Sequence, residues 1–329
     1  MASTLALPYT RQNALASTIA ADNAHNIRDK IVLTTGVTQG GLGATFVETI
    51  AAHKPRLLIL AGRSVAKVQL TADKITSEPE NAGVEVRILQ LDLASQAQIR
   101  SAAKEVLAYP EGRIDVLVNS AGIMAGPYKR TADGLENNFG SNHIGHFLFT
   151  NLVMPSLLAA PAPRVVSVSS DGHRLSGIRF DDPGFRGGDV YEQWAAYGQS
   201  KTANILFARS LATKLGPRGL KAYSLHPGVT FGTSLAPELK VEDLEALKEA
   251  LKEMDRGIGW DREFDVKTLD ECAATHVVAA FDARLEGYNG VYLENGNVSD
   301  DVQATATRQG DDERLWKLSE ELVGEKFAY

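Results

Sequence analysis

Short continuous apolar runs that alternate with segments of helical period constrain this chain more than any other feature. The runs are Ile31–Thr35, Leu57–Ala61, Val84–Leu89, Asp115–Asn119, Arg164–Ser169, Leu220–Leu225 and Gly290–Glu294. Short apolar strands of this kind, with helical stretches between them that return the chain for parallel pairing, imply a sheet covered on both faces. Right-handed crossovers then predict an α/β fold: a doubly wound, Rossmann-type, mostly seven-stranded parallel sheet with helices on both faces. Ligands of such a sheet bind beyond the carboxyl ends of the strands. No repeat, low-complexity tract or linker divides residues 29–329, so one domain is expected. Residues 1–28, rich in Ala, Ser and Thr, read as an N-terminal extension.

Two segments break the alternation. Residues 171–193 are rich in Gly, Asp and Arg and read as a long loop. Residues 231–266 carry Val241, Leu244, Leu247, Leu251 and Met254 at helical spacing, an amphipathic helix placed where a lid over a ligand would sit. Thr268 and Glu271 have the spacing of a capping box opening the next core helix.

Composition excludes several classes. Of 329 residues, 44% are hydrophobic and 23% charged, enough apolar material for a substantial soluble core. A net charge of −7 without a basic stripe argues against a nucleic-acid partner. No apolar run is long enough for a membrane span. The N-terminus lacks the pattern of a secretory signal, while its scarcity of acids leaves an organelle-transit reading open beside that of a packed extension. The lone Cys272 excludes an intrachain disulfide and fits a reducing, cytoplasmic location, with helix packing as its role.

The first strand runs directly into Thr35-Gly-Val-Thr-Gln-Gly-Gly-Leu-Gly43 and then a helix. Gly36, Gly41, Leu42 and Gly43 stand where a backbone must approach a pyrophosphate and offer it helix N-terminal amides. Arg63 closes the second strand about 20 residues further on, where an acid would hold the ribose of NAD and an arginine the extra phosphate of NADP. No acid stands there, so NADP(H) is expected ahead of NAD(H). Asp92, with Leu93, follows the third strand and is a candidate acceptor for an adenine amino group, or a routine helix cap. Asn119, Ala121 and Gly122 close the fourth strand with small side chains that leave room for a ribose.

Tyr197 and Lys201 lie four residues apart, on one face of a helix. A neighbouring ammonium favours ionised phenol and is expected to draw its pKa down from about 10, so that Tyr197 could both give and take a proton. Four histidines call for plainer readings. His143 and His146 lack the further ligands a zinc site needs and read as helix packing. His173 reads as a loop histidine at the surface or the substrate mouth, and His226, before Pro227, as structural.

Together these motifs resemble the short-chain dehydrogenase/reductase family from about residue 30 to the C-terminus. Asn142–Phe147, the long gap between Ser170 and Tyr197, Ala196–Phe207 and Leu315–Leu322 are similar to its retinol dehydrogenase, WW-domain oxidoreductase and protochlorophyllide reductase branch. The Gly-Gly-Leu-Gly-Ala variant is similar to that of fungal members in specialised metabolism. The interval from Gly36 to Gly41 is one residue longer than the family pattern, which leaves both Gly40 and Gly41 standing for the middle glycine.

The resemblance implies an NADPH-dependent reductase, or the reverse dehydrogenase, that interconverts a ketone or aldehyde and an alcohol on an apolar small molecule. It implies Tyr197 as acid/base, Lys201 as its modulator and a ligand of the nicotinamide ribose, and Ser170 as the group polarising the substrate oxygen, with Ser169 as rival. Asn142 would hold a proton-relay water, and Pro227, Gly228, Val229 and Thr233 would form the nicotinamide-side loop. Many members pair as homodimers through the helices of Asn142 and Tyr197. A non-catalytic NADP-binding sensor or scaffold of the same fold, or a nucleotide-sugar epimerase or dehydratase, is the alternative.

Overall fold

The computed structural model describes residues 7–233, 235 and 266–329. The proposed amphipathic helix between Val241 and Met254, and with it most of the expected lid, lies outside the described residues. Strands β1 (Ile31–Thr35), β2 (Leu57–Gly62), β3 (Glu85–Gln90), β4 (Val116–Asn119), β5 (Arg164–Val168), β6 (Lys221–His226), β7 (Tyr292–Glu294) and β8 (Asn297–Val298) form one sheet in the order 3-2-1-4-5-6-7-8. The first seven pair in parallel, and β8 returns antiparallel along β7. The sheet therefore has eight strands where seven were expected. The extra one is a hairpin turned by Asn295-Gly296, both at positive φ (52° and 70°), the dipeptide that such a turn favours.

Helices cover both faces. On one side lie α1 (Ala16–Asp22), α3 (Leu42–Ala51), α4 (Val65–Ser77) and α10 (Leu269–Phe281), with the short α2 (Ala24–Ile27) beside them. On the other lie α5 (Gln96–Leu107), α7 (Gly145–Leu152), α9 (Gln193–Leu215) and α11 (Asp311–Val323), after the short α6 (Asn137–Phe139) and with α8 (Met154–Leu158). Alternate strand residues feed the two cores: Val32, Leu58 and Leu60 enter the first, Ile31, Leu33, Leu57 and Ile59 the second. The dry faces of β1, β2, β4, β5 and β6 match their largely apolar runs, while the edge strand β3 leaves Glu85 and Gln90 exposed.

The N-terminal segment packs on the first face. Ile19, Ala20 and Ile27 are fully buried, and Leu7, Tyr9 and Asn297 tie the chain before α1 to the β7–β8 hairpin. α10 opens with the expected capping box of Thr268 and Glu271. Cys272 is buried within it. Among the described residues no helix is long and apolar enough to cross a membrane.

Candidate active site

Carboxyl ends of the parallel strands border one crevice of about 970 Å³. At its base the β1–α3 turn is shaped by close approach. Gly36 has φ of 76°, and a Cβ there would lie 2.5 Å from the Ala121 Cα, so only glycine fits. Gly41 is the residue before α3 and lines the crevice, while Gly40, at φ of 78°, has nothing within 4 Å of a built Cβ. No side chain caps α3, which leaves its first amides turned to the crevice where Leu42 and Gly43 also line it.

The Thr35 hydroxyl joins this turn to the next strand. It accepts from the Ser120 and Ala121 amides, both at 3.0 Å, and contacts His146 Nε2 at 2.9 Å. His146 Nδ1 donates to the Asn142 carbonyl at 2.9 Å, and burial lowers the ring's pKa to about 4, so His146 is a neutral brace between cofactor turn and helix. His143 is likewise buried and held by Ser319. Among the described residues no group of three or more His, Cys, Asp or Glu could hold a metal ion.

Arg63 lines the crevice at the end of β2, joined by Ser64 and Lys67, two neighbours that the sequence reading missed. Asp92 and Leu93 border it after β3, with one Asp92 oxygen taken by the Ala94 amide at 3.0 Å. Of the β4 end, Ala121 and Gly122 line the crevice. Asn119 does not reach it: the side chain is buried behind the strand and donates to Thr150 Oγ1 at 3.0 Å. Pro227, Gly228, Val229 and Thr233 line the far side.

Asn142 lies in a π-helical turn, Gly140–Ile144, at the entry to α7, a distortion often found at functional sites. Its side-chain amide makes three hydrogen bonds. Oδ1 accepts from the Ile123 amide, and Nδ2 donates to the Ile123 carbonyl and to Ser200 Oγ, each at 2.9 Å. Asn142 therefore fastens the segment after β4 to α9.

Ser169 and Ser170 part company as strand neighbours must. Ser169 Oγ donates to the Lys201 carbonyl at 2.7 Å, inside the fold. Ser170 Oγ accepts from Gly172 N at 3.1 Å, and it flanks Gly172 together with the Tyr197 ring: a Cβ on that glycine would lie 3.4 Å from Ser170 Oγ and 2.6 Å from Tyr197 Cε1. Lys201 Nζ lies 5.6 Å from the Tyr197 ring centroid and donates to the Val168 carbonyl at 3.2 Å.

The phenol's pKa departs from expectation. Burial pushes Tyr197 up to about 12, against the Ser170 hydrogen bond that lowers it. Burial also brings Lys201 down to about 8. In this dry site the lost hydration of phenolate dominates, opposed by the Ser170 hydroxyl, so the expected lowering of Tyr197 by its ammonium neighbour is corrected to a rise.

α9 can carry so many polar groups in its buried middle because each finds a partner. Gln199 accepts from Arg179 N and donates to the Pro183 carbonyl, while Thr202 contacts the His173 and Ser176 carbonyls. These bonds hold residues 171–183 against the helix. The 171–193 segment is irregular, as expected, apart from 3₁₀ turns at Asp171–Leu175 and Phe185–Gly188. His173 is fully buried, contrary to its reading as a mouth or surface histidine. Met124, Leu175, Trp194, Phe231 and Leu235 are apolar residues lining the same crevice as Tyr197.

A doubly wound sheet with a glycine turn and Ser170 beside the buried Tyr197 and Lys201 defines the class, and the comparisons define the family. Residues 30–181 match the family model for short chain dehydrogenases. Retinol dehydrogenase 11 of Homo sapiens is 35% identical over 295 residues, 90% of this chain and 86% of that protein. Short-chain dehydrogenase/reductase prx1 of Penicillium roqueforti is 34% identical over 316 residues, covering 92% and 87%. Among solved structures, an uncharacterized protein from Mycobacterium paratuberculosis superposes with a TM-score of 0.70 at 30% identity, covering 94% of this chain and 98% of that one. The chain belongs to the short-chain dehydrogenase family of oxidoreductases, in its retinol dehydrogenase-like branch.

Proposed function

We propose that the protein is an NADPH-dependent reductase, or the reverse dehydrogenase, acting on a ketone or aldehyde carried by an apolar small molecule. The observation that carries this reading is the gathering of Ser170, Tyr197 and Lys201 at one crevice, with Lys201 Nζ 5.6 Å from the Tyr197 ring centroid. The residues fit a dinucleotide: the uncapped start of α3 and the Gly36–Ala121 approach suit a pyrophosphate. Arg63 after β2 and Lys67 in the first turn of α4, both exposed and without an acid between them, favour an added ribose phosphate.

When bound, the nicotinamide supplies or accepts the hydride. The side chains then manage the oxygen. Ser170 donates to it, and Tyr197, a neutral phenol at pH 7 with its pKa about 12, delivers the proton as negative charge develops there. Lys201, with its pKa about 8, is ready to return a proton to Tyr197. Asn142 keeps the Ile123 segment and Ser200 in register, and its role as holder of a relay water is part of the proposal. Met124, Leu175 and Trp194 would exclude water around the carbonyl. The retinol in the names of several mammalian relatives is an apolar alcohol, in keeping with such a wall. A panel of ketones and aldehydes assayed for NADPH consumption, with NADH beside it, tests the reading. No oxidation of either cofactor with any carbonyl, and none in reverse with alcohols, overturns it.

A further inference from the structure

We propose that His173 is a positioning residue that fixes the peptide between Ser170 and Asp171, and through it the aim of the Ser170 hydroxyl at the Tyr197 phenol. This rests on the reading of Ser170 and Tyr197 given above. The peptide is gripped at both ends by imidazoles. Its carbonyl, that of Ser170, accepts from His173 Nδ1 at 2.7 Å as well as from the His173 amide at 3.0 Å. Its N–H, that of Asp171, donates to His226 Nδ1 at 3.2 Å. Ser170 is extended, with φ −167° and ψ 159°. A rotation of this peptide plane is a change in ψ of Ser170, which swings the residue's own frame against the chain that follows.

The ring has a single orientation available to it. A carbonyl can only accept, so Nδ1 carries the hydrogen and Nε2 is left to accept, which it does from the Gln303 amide at 3.2 Å. Burial holds the ring's pKa near 4, so that hydrogen arrangement persists at neutral pH. The surroundings lock the turn further. The Thr202 hydroxyl, one residue beyond Lys201, is shared between the Ser176 carbonyl at 2.7 Å and the His173 carbonyl at 2.9 Å. Arg174 bridges Asp171, at 2.9 Å, and Asp301, at 2.8 Å. Burial raises the Asp171 carboxyl, yet His226 and Arg174 together hold it below its ordinary value. Segment 301–303, near the C-terminal end of the fold, thereby becomes a support for the hydroxyl that faces the substrate.

Two substitutions separate this role from packing. His173→Asn places an amide N–H near Nδ1 and keeps the Ser170 contact, whereas His173→Gln reaches the Nε2 position and keeps only the Gln303 contact. Both remove the ring and should lower Tm alike. Misalignment of about 1 Å is worth on the order of 10²-fold in rate, so kcat should fall at least tenfold in His173→Gln and stay within about threefold in His173→Asn. The carbonyl KM and the NADPH Kd should stay near those of the unaltered protein in both. Equal kcat in the two variants, or losses that follow Tm alone, would overturn the proposal. Should His173→Gln fail to fold, His173→Asn decides: retained kcat supports the role, and a tenfold fall with NADPH binding intact refutes it. Tyr197→Phe in the same assay keeps the two readings apart, because sustained turnover there removes the catalytic pair itself and not merely its support.

Discussion

Tyr197 packs edge-on against a residue with no side chain. A Cβ on Gly172 would lie 2.6 Å from the Tyr197 Cε1, well inside contact distance. Gly172→Ala must therefore push the ring away from Ser170. We expect kcat to fall more than tenfold, a destabilisation of about 1–3 kcal/mol from overpacking, and little change in NADPH affinity. Unchanged kcat would show that the ring's place is not critical. Arg63 offers a second test at this scale. Loss of a charge-assisted contact of about 1.5–3 kcal/mol predicts that Arg63→Asp weakens NADPH by roughly 10–100-fold while NADH binding is little altered. Equal weakening of both cofactors, measured by fluorescence titration, would contradict a phosphate contact.

The elements differ in how openly the sequence declares them. The inner parallel strands are legible because both their faces are dry, the edge strand β3 because apolar residues alternate along it, and the glycine turn because backbone approach leaves no room for a side chain. β8 spans only two residues, and its one signal is the Asn295-Gly296 dipeptide. The choice between Ser169 and Ser170 needs the phase of β5 in the sheet, which no local pattern carries. Asp171-Gly-His-Arg174 looks solvated on paper, yet Arg174 lies between two carboxylates and His173 is enclosed by Thr202 and Gln303. The direction of the Tyr197 shift escaped for a similar reason, since burial depth is set by distant elements. The N-terminal segment is the clearest element to test. Burying Ile19 and Ile27 is worth roughly 3–6 kcal/mol, so deletion of residues 1–28 should lower Tm by roughly 5–15 °C. An unchanged Tm would mean that α1 and α2 rest on the sheet without holding it.

For the whole molecule, buried imidazoles link stability to pH. Burial lowers His143 to about 3 and His146, His173 and His276 to about 4. In the unfolded chain each binds a proton near 6.5, so unfolding takes up protons between about pH 6.5 and 4. Their contribution is fully present above 6.5 and drains away as pH falls toward 4, at up to about 1.4 kcal/mol per pH unit for each ring. The urea midpoint should therefore drop steadily from pH 7 to pH 5; a flat profile would mean that these rings are protonated within the fold. The same enclosure that keeps the imidazoles neutral keeps the Tyr197 phenol protonated and ready to donate. The most direct measurement is the rate of NADPH oxidation, with a responsive carbonyl, by the unaltered protein and by Tyr197→Phe. Loss of the hydroxyl should reduce kcat by roughly 10²–10⁴-fold with NADPH affinity preserved. Turnover undiminished by the substitution would contradict the assignment of proton transfer to this residue.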